Sequence, residues 1–145
     1  MIPKIIHITW TSSDILKSES PLVKKGVQQM YDLNPDWKIE LSTDEDLDNY
    51  LKDCLGDSYS VVADLSVIEK CDLWRLFKIY REGGLYIDLD RLVNIPLNDI
   101  IKNGVKCILP TYRDIDFSHD FMMSDKGNPI FEKAISLVMN RRISG

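Results

Sequence analysis

Cysteine and histidine are scarce in this chain of 145 residues, with three of the first and two of the second. Cys54, Cys71 and Cys107 are an odd set without CxxC spacing, which argues against a disulfide framework and against a zinc site. They read as small apolar residues in a reducing compartment. Long runs of basic charge are also missing. The basic clusters stop at Lys24-Lys25 and Arg141-Arg142, and the formal net charge is -5, so nucleic acid is not an expected partner. No apolar run approaches the length of a membrane span, and the N-terminus has no signal-peptide core. The expectation is a cytoplasmic protein with no membrane span. Internal repeats, low-complexity tracts and an interdomain linker are absent.

What is present suits one globular domain over residues 1–145, with 44% hydrophobic and 28% charged residues. Residues 4–9 are β-branched and bounded by Pro3 and a polar loop, so they predict a buried strand. Residues 21–31 predict a helix that opens on Pro21 and stops before Asn34-Pro35. A second strand is expected over 37–41. The run Ser42-Thr43-Asp44-Glu45 reads as a capping box for a helix over 43–51. Residues 67–82 carry apolar side chains at three-to-four spacing and end at Gly83-Gly84, the clearest helix of the chain. Strands over 85–88, 106–110 and 121–124 and a helix over 128–142 complete the pattern. Strands alternating with helices predict an α/β domain with a mainly parallel sheet flanked by helices. Trp37 and Trp74 are expected in the core, and His7 is expected to be structural.

The apolar strand Leu85-Tyr86-Ile87 runs into Asp88-Leu89-Asp90. Ligands of open α/β sheets bind beyond the carboxyl ends of strands, where this pair falls. Two carboxylates there suit a hard cation such as Mn²⁺ or Mg²⁺ shared with substrate phosphates, although strand-end aspartates also serve in simple turns. Asp72 and Arg75 are three apart on one helix face. They form either an exposed ion pair, or an anion- and sugar-facing pair in which the planar guanidinium meets phosphate. Trp10, after a strand end, offers a flat stacking face or a half-buried core indole. His119, in Phe117-Ser-His-Asp-Phe121, is a surface histidine or a group completing a metal shell.

Four ordered blocks carry a resemblance over most of the chain: residues 2–10, Asn34-Pro-Asp-Trp37 to Asp46, Cys71-Asp-Leu-Trp-Arg75 with residues 80–90, and Phe121-Met-Met-Ser124 with Gly127-Asn-Pro129. Together they resemble the DxD-motif sugar transferases. That family includes fungal initiating outer-chain mannosyltransferases and is related to the large clostridial glucosylating toxins. The resemblance implies a GT-A-like, Rossmann-type fold, a divalent metal (usually Mn²⁺), a nucleotide-sugar donor and transfer with retention. It places Ile8 and Trp10 at the nucleotide, Asp72 and Arg75 at the donor sugar, and Asp88, Leu89 and Asp90 at ribose, metal and diphosphate. His119 falls in a region near the donor and is a further candidate metal ligand.

The expected activity is therefore transfer of a sugar to a glycan or other hydroxyl acceptor, with Asp72, Arg75, Asp88 and Asp90 as the catalytic set. A cation at Asp88 and Asp90, helped by Arg75, would offset the charge growing on the leaving phosphate. The chain ends at Gly145, before segments that related proteins carry, so the domain reads as minimal or C-terminally truncated. Two alternatives stand beside this. One is a non-catalytic nucleotide-sugar-binding module. The other is a haloacid-dehalogenase-like phosphatase, disfavoured because Arg91-Leu92 follows the motif and the motif lies mid-chain.

Overall fold

A computed structural model describes residues 1–114 and 116–145, leaving aside the side chains of Leu16 and Tyr112. Five strands form the central sheet: β1 (Ile5–Thr9), β2 (Lys38–Ser42), β3 (Gly84–Ile87), β4 (Cys107–Ile108) and β7 (Phe121–Ser124), in the order β2-β1-β3-β7-β4. β1 pairs in parallel with both β2 and β3, while β7 runs antiparallel between β3 and β4. The sheet is thus mixed and mostly parallel, with β7 reversed. A separate two-stranded hairpin, β5 (Thr111–Tyr112) with β6 (Asp116–Phe117), precedes β7.

Helices α1 (Pro21–Leu33), α2 (Asp44–Leu55), α3 (Val67–Glu82), α4 (Leu97–Ile100) and α5 (Pro129–Ser144) cover both faces. The period-two alternation of strands divides the core between them. Ile6, Ile8, Leu85, Ile87 and Met123 point to the face covered by Val23, Val27 and Met30 of α1. Tyr86 and Met122 point to the opposite face, against Leu47 and Leu51 of α2, Trp74 and Phe77 of α3, and Phe131 of α5. Trp37 and Trp74 are both buried, as expected. His7 is buried too, and its Nε2 lies 2.8 Å from the Gly83 carbonyl.

Local chemistry fixes the element ends. The α2 capping box is formed by Thr43 with Asp46, one residue later than the sequence suggests, because Ser42 belongs to β2. α3 carries a second box, Ser66 with Glu69. Gly83 and Gly84 make the reversal from α3 into β3 at φ of 69° and 97°. A Cβ on Gly84 would lie 2.4 Å from the Ile5 carbonyl oxygen, so only glycine lets β3 close on β1 there. That close approach sets where β3 begins, and so where it ends.

Candidate active site

β1 and β3 are parallel neighbours, and their carboxyl ends open into one cavity of ≈ 420 Å³. Thr9 and Trp10 line it from β1, Cys71 and Arg75 from α3, and Asp88, Leu89 and Asp90 from the end of β3. The chain turns sharply at the pair. The Asp88 N–H donates to the Asp120 carbonyl at 2.9 Å, and the Arg91 N–H returns to the Asp88 carbonyl at 3.1 Å. This turn holds Asp88 half-buried and leaves Asp90 exposed.

Tyr86 and Asp88 are two residues apart, so they leave the strand on the same side, toward α3. The Tyr86 hydroxyl donates to Asp88 Oδ1. Burial, and after it the neighbouring Cys71, pushes the Tyr86 phenol far above its ordinary range, so it stays a donor. The guanidinium of Arg75 lies over the Tyr86 ring, 4.5 Å from its centroid. It also meets Asp72 Oδ1 at 2.8 Å and Asp88 Oδ1 at 3.6 Å. Its Nη1 reaches both the Nδ1 and the carbonyl oxygen of His119 at 2.9 Å, and its Nε and Nη2 face the Cys71 carbonyl and Sγ. Every nitrogen of Arg75 therefore has a partner. Burial alone would lower its pKa, but Tyr86, Cys71, Asp72 and Asp88 around it outweigh that and raise it.

Arg75 is only 6% exposed, so its pairing with Asp72 is not an exposed helix pair. The structure brings Arg75, Asp88, Asp90, Leu89 and Trp10 together at the cavity. Trp10 is half-buried, packing on the core while it also lines the cavity. Asp72 stands on the far side of Arg75 and borders a smaller cavity of ≈ 220 Å³ with Glu69 and His119. Ile8 does not reach the main cavity, since its side chain is 1% exposed within the core. Tyr86 was not marked by the sequence reading, although its i, i+2 relation to Asp88 was available as a signal. Asp120, which anchors the turn through its carbonyl, has no comparable signal.

The donor set fits a hard divalent cation. Asp88 has one oxygen engaged, and among the described residues the Asp90 carboxylate has no hydrogen-bond or ion-pair partner. Magnesium-like ions are held by one or two carboxylates plus substrate phosphates and water. Among the described residues no third His, Cys, Asp or Glu joins them, so phosphate oxygens would complete the shell. His119 Nδ1 is taken up by Arg75.

Residues 20–106 match the family described as the glycosyltransferase sugar-binding region containing the DXD motif. The chain belongs to this family. That membership sets aside the phosphatase alternative. A mannosyl phosphorylinositol ceramide synthase of Saccharomyces cerevisiae is 34% identical over 140 residues, covering 93% of this chain and 35% of that protein. Inositol phosphoceramide mannosyltransferase 2 of Schizosaccharomyces pombe is 32% identical over 142 residues, covering 93% of this chain and 38% of its own. The chain thus spans about a third of the length of the curated relatives it matches. The solved structure of the PaToxG glycosyltransferase superposes with a TM-score of 0.68 at 20% identity, over 99% of this chain and 62% of that one. The likeness shows a GT-A-like fold along this chain. Among the described residues no helix is long and apolar enough to cross a membrane.

Proposed function

We propose that this domain binds a nucleotide-sugar donor together with Mn²⁺ or Mg²⁺ and transfers the sugar to a hydroxyl acceptor with retention of configuration. The observation that carries this is Asp88, held between Tyr86 and Arg75 at the edge of a ≈ 420 Å³ cavity that Trp10 also lines. Trp10 stacks on the nucleobase, and Asp88 and Asp90 hold the cation beside the diphosphate. The cation, when bound, supplies positive charge to the leaving phosphate. Arg75, fixed on Tyr86, adds preorganised positive charge from the protein side. Asp72, paired with Arg75, accepts hydroxyls of the donor sugar. Departure proceeds on the front face, and the acceptor hydroxyl gives its proton to the leaving phosphate oxygen. The names of the relatives favour mannose as the sugar and an inositol-phosphate lipid as the acceptor.

The test is a thermal-shift panel of guanosine- and uridine-diphosphate sugars with and without Mn²⁺. A donor present at 100 times its dissociation constant stabilises the fold by about 2.7 kcal/mol. Metal-dependent stabilisation followed by turnover supports the reading. Binding without hydrolysis or transfer identifies a nucleotide-sugar-binding module, and no stabilisation by any donor refutes both.

A further inference from the structure

The turn that carries Asp88 and Asp90 has a second flank. There the end of β3, the segment after the turn and the β5–β6 hairpin enclose a cleft of ≈ 290 Å³, close to the small end of ligand cavities. Ile87 lines both this cleft and the donor cavity. The polar side of the cleft is Arg91, Asp120 and Ser118, and its apolar side includes Val93, Pro110 and Phe121.

The polar side is organised. The Asp120 carboxylate is 15% exposed, with one oxygen accepting the Ser118 hydroxyl and the other paired with Arg91. Burial would raise its pKa, but Ser118 and Arg91 outweigh that and hold it below the usual carboxylate range, so it remains a charged acceptor. Two engaged oxygens leave a carboxylate with further lone-pair sites. The Arg91 guanidinium is 62% exposed, and only its Nη2 is engaged by Asp120, so it offers further N–H groups toward the cleft. The Asp120 carbonyl takes the Asp88 N–H, which ties the cleft rigidly to the metal-binding turn.

A carboxylate–guanidinium pair facing a hydrocarbon wall is suited to a cyclic polyol. The C–H face of such a ring packs on the wall, while neighbouring hydroxyls donate to Asp120 and accept from Arg91. We propose that this cleft is the acceptor subsite and takes a cyclic polyol, a hexose or an inositol ring. This inference rests on the donor reading above, and the cleft meets the donor cavity at Ile87, on the other flank of the Asp88–Asp90 turn.

The experiment uses the full chain, Mn²⁺ and the donor selected by the thermal-shift panel. Methyl α-mannoside and myo-inositol 1-phosphate are the acceptor probes. Arg91→Gln should raise the acceptor KM at least tenfold while the donor KM stays within twofold. Thr111→Trp, which fills the cleft and leaves both Arg91 and Asp120 in the sequence, should do the same and covers the case in which Arg91→Gln folds poorly. Saturation by the mannoside marks a glycan acceptor and saturation by the inositol phosphate marks a lipid headgroup; either supports the subsite. Unchanged acceptor KM in both variants, or donor hydrolysis with transfer to neither probe, overturns it. A wild-type protein that binds no donor overturns the donor reading, and this one with it.

Discussion

Replacing Arg75 by alanine is the sharpest perturbation of the site, because its two sequence readings differ several-fold in magnitude. An exposed i, i+3 pair contributes about 0.2–0.5 kcal/mol. The structure instead buries the guanidinium on the Tyr86 ring at 4.5 Å and surrounds it with Asp72, Asp88 and His119. A desolvated cation–π contact alone is worth about 2 kcal/mol. Removing one partner of a buried charge cluster costs about 3–5 kcal/mol, and here the lower end applies because Asp72 and Asp88 remain partly hydrated. We expect Arg75→Ala to cost about 3 kcal/mol in urea unfolding, a midpoint shift of about 1.5 M at a slope near 2 kcal/mol per molar. Among the folded molecules, kcat/KM should fall by about 100-fold or more. Arg75→Lys keeps the charge over the ring but loses the planar fork, so it should recover part of the stability and little of the turnover. An unfolding free energy within about 0.5 kcal/mol of wild type, with normal turnover, would refute the reasoning.

Asp88→Asn and Asp90→Asn should each abolish Mn²⁺-dependent donor binding in a folded protein; calorimetry with and without EDTA measures this, and undiminished affinity contradicts the metal assignment. Trp10→Ala should weaken nucleoside diphosphate binding by about 1–3 kcal/mol, as for other base–aromatic stacks, whereas an unchanged dissociation constant would leave Trp10 purely a core residue. Burial above all holds the His7 pKa below the ordinary histidine range, so the unfolded chain binds the extra proton first. Its contribution is complete above about pH 6.5 and is lost as pH falls through the folded pKa, at up to about 1.4 kcal/mol per pH unit. His7→Gln should therefore flatten the difference in unfolding free energy between pH 7.5 and 5.5, and an equal difference in both proteins would exclude His7 as its source.

The strands, the long helix α3 and the end of β3 were legible because their signals are local. Apolar spacing over residues 67–82 and the Gly83-Gly84 stop define α3, and the carboxylates after Ile87 mark the strand end. The reversal of β7 was not legible, since strand direction depends on where the chain re-enters the sheet. The β5–β6 hairpin escaped too. Its strands are two residues each, too short for alternation to show, and its turn places Arg113 and Asp114 at positive φ without a glycine to announce it. Ile8 shows how strand geometry bears on a family-based expectation. Alternation along β1 puts Ile6 and Ile8 on the core face together, a pattern that outweighs the family-based expectation of a donor contact from its side chain.

The site's electrostatics depend on one residue whose role lies outside the motif. Tyr86 meets Trp74 in a T-shaped contact at a centroid distance of 6.0 Å, carries Arg75 over its ring and donates to Asp88. A helix residue and a strand-end carboxylate are thereby held together by a ring that the core itself fixes, at 2% exposure. On the strand's other side Leu85, Ile87 and Leu89 are locked into the opposite core cluster. β3 is four residues long, yet it is clamped on both faces just before it delivers Asp88. Preorganisation at Asp88 thus follows from ordinary sheet packing. That is why a short strand, begun at a position only glycine can occupy, is enough to place the carboxylates between two clefts.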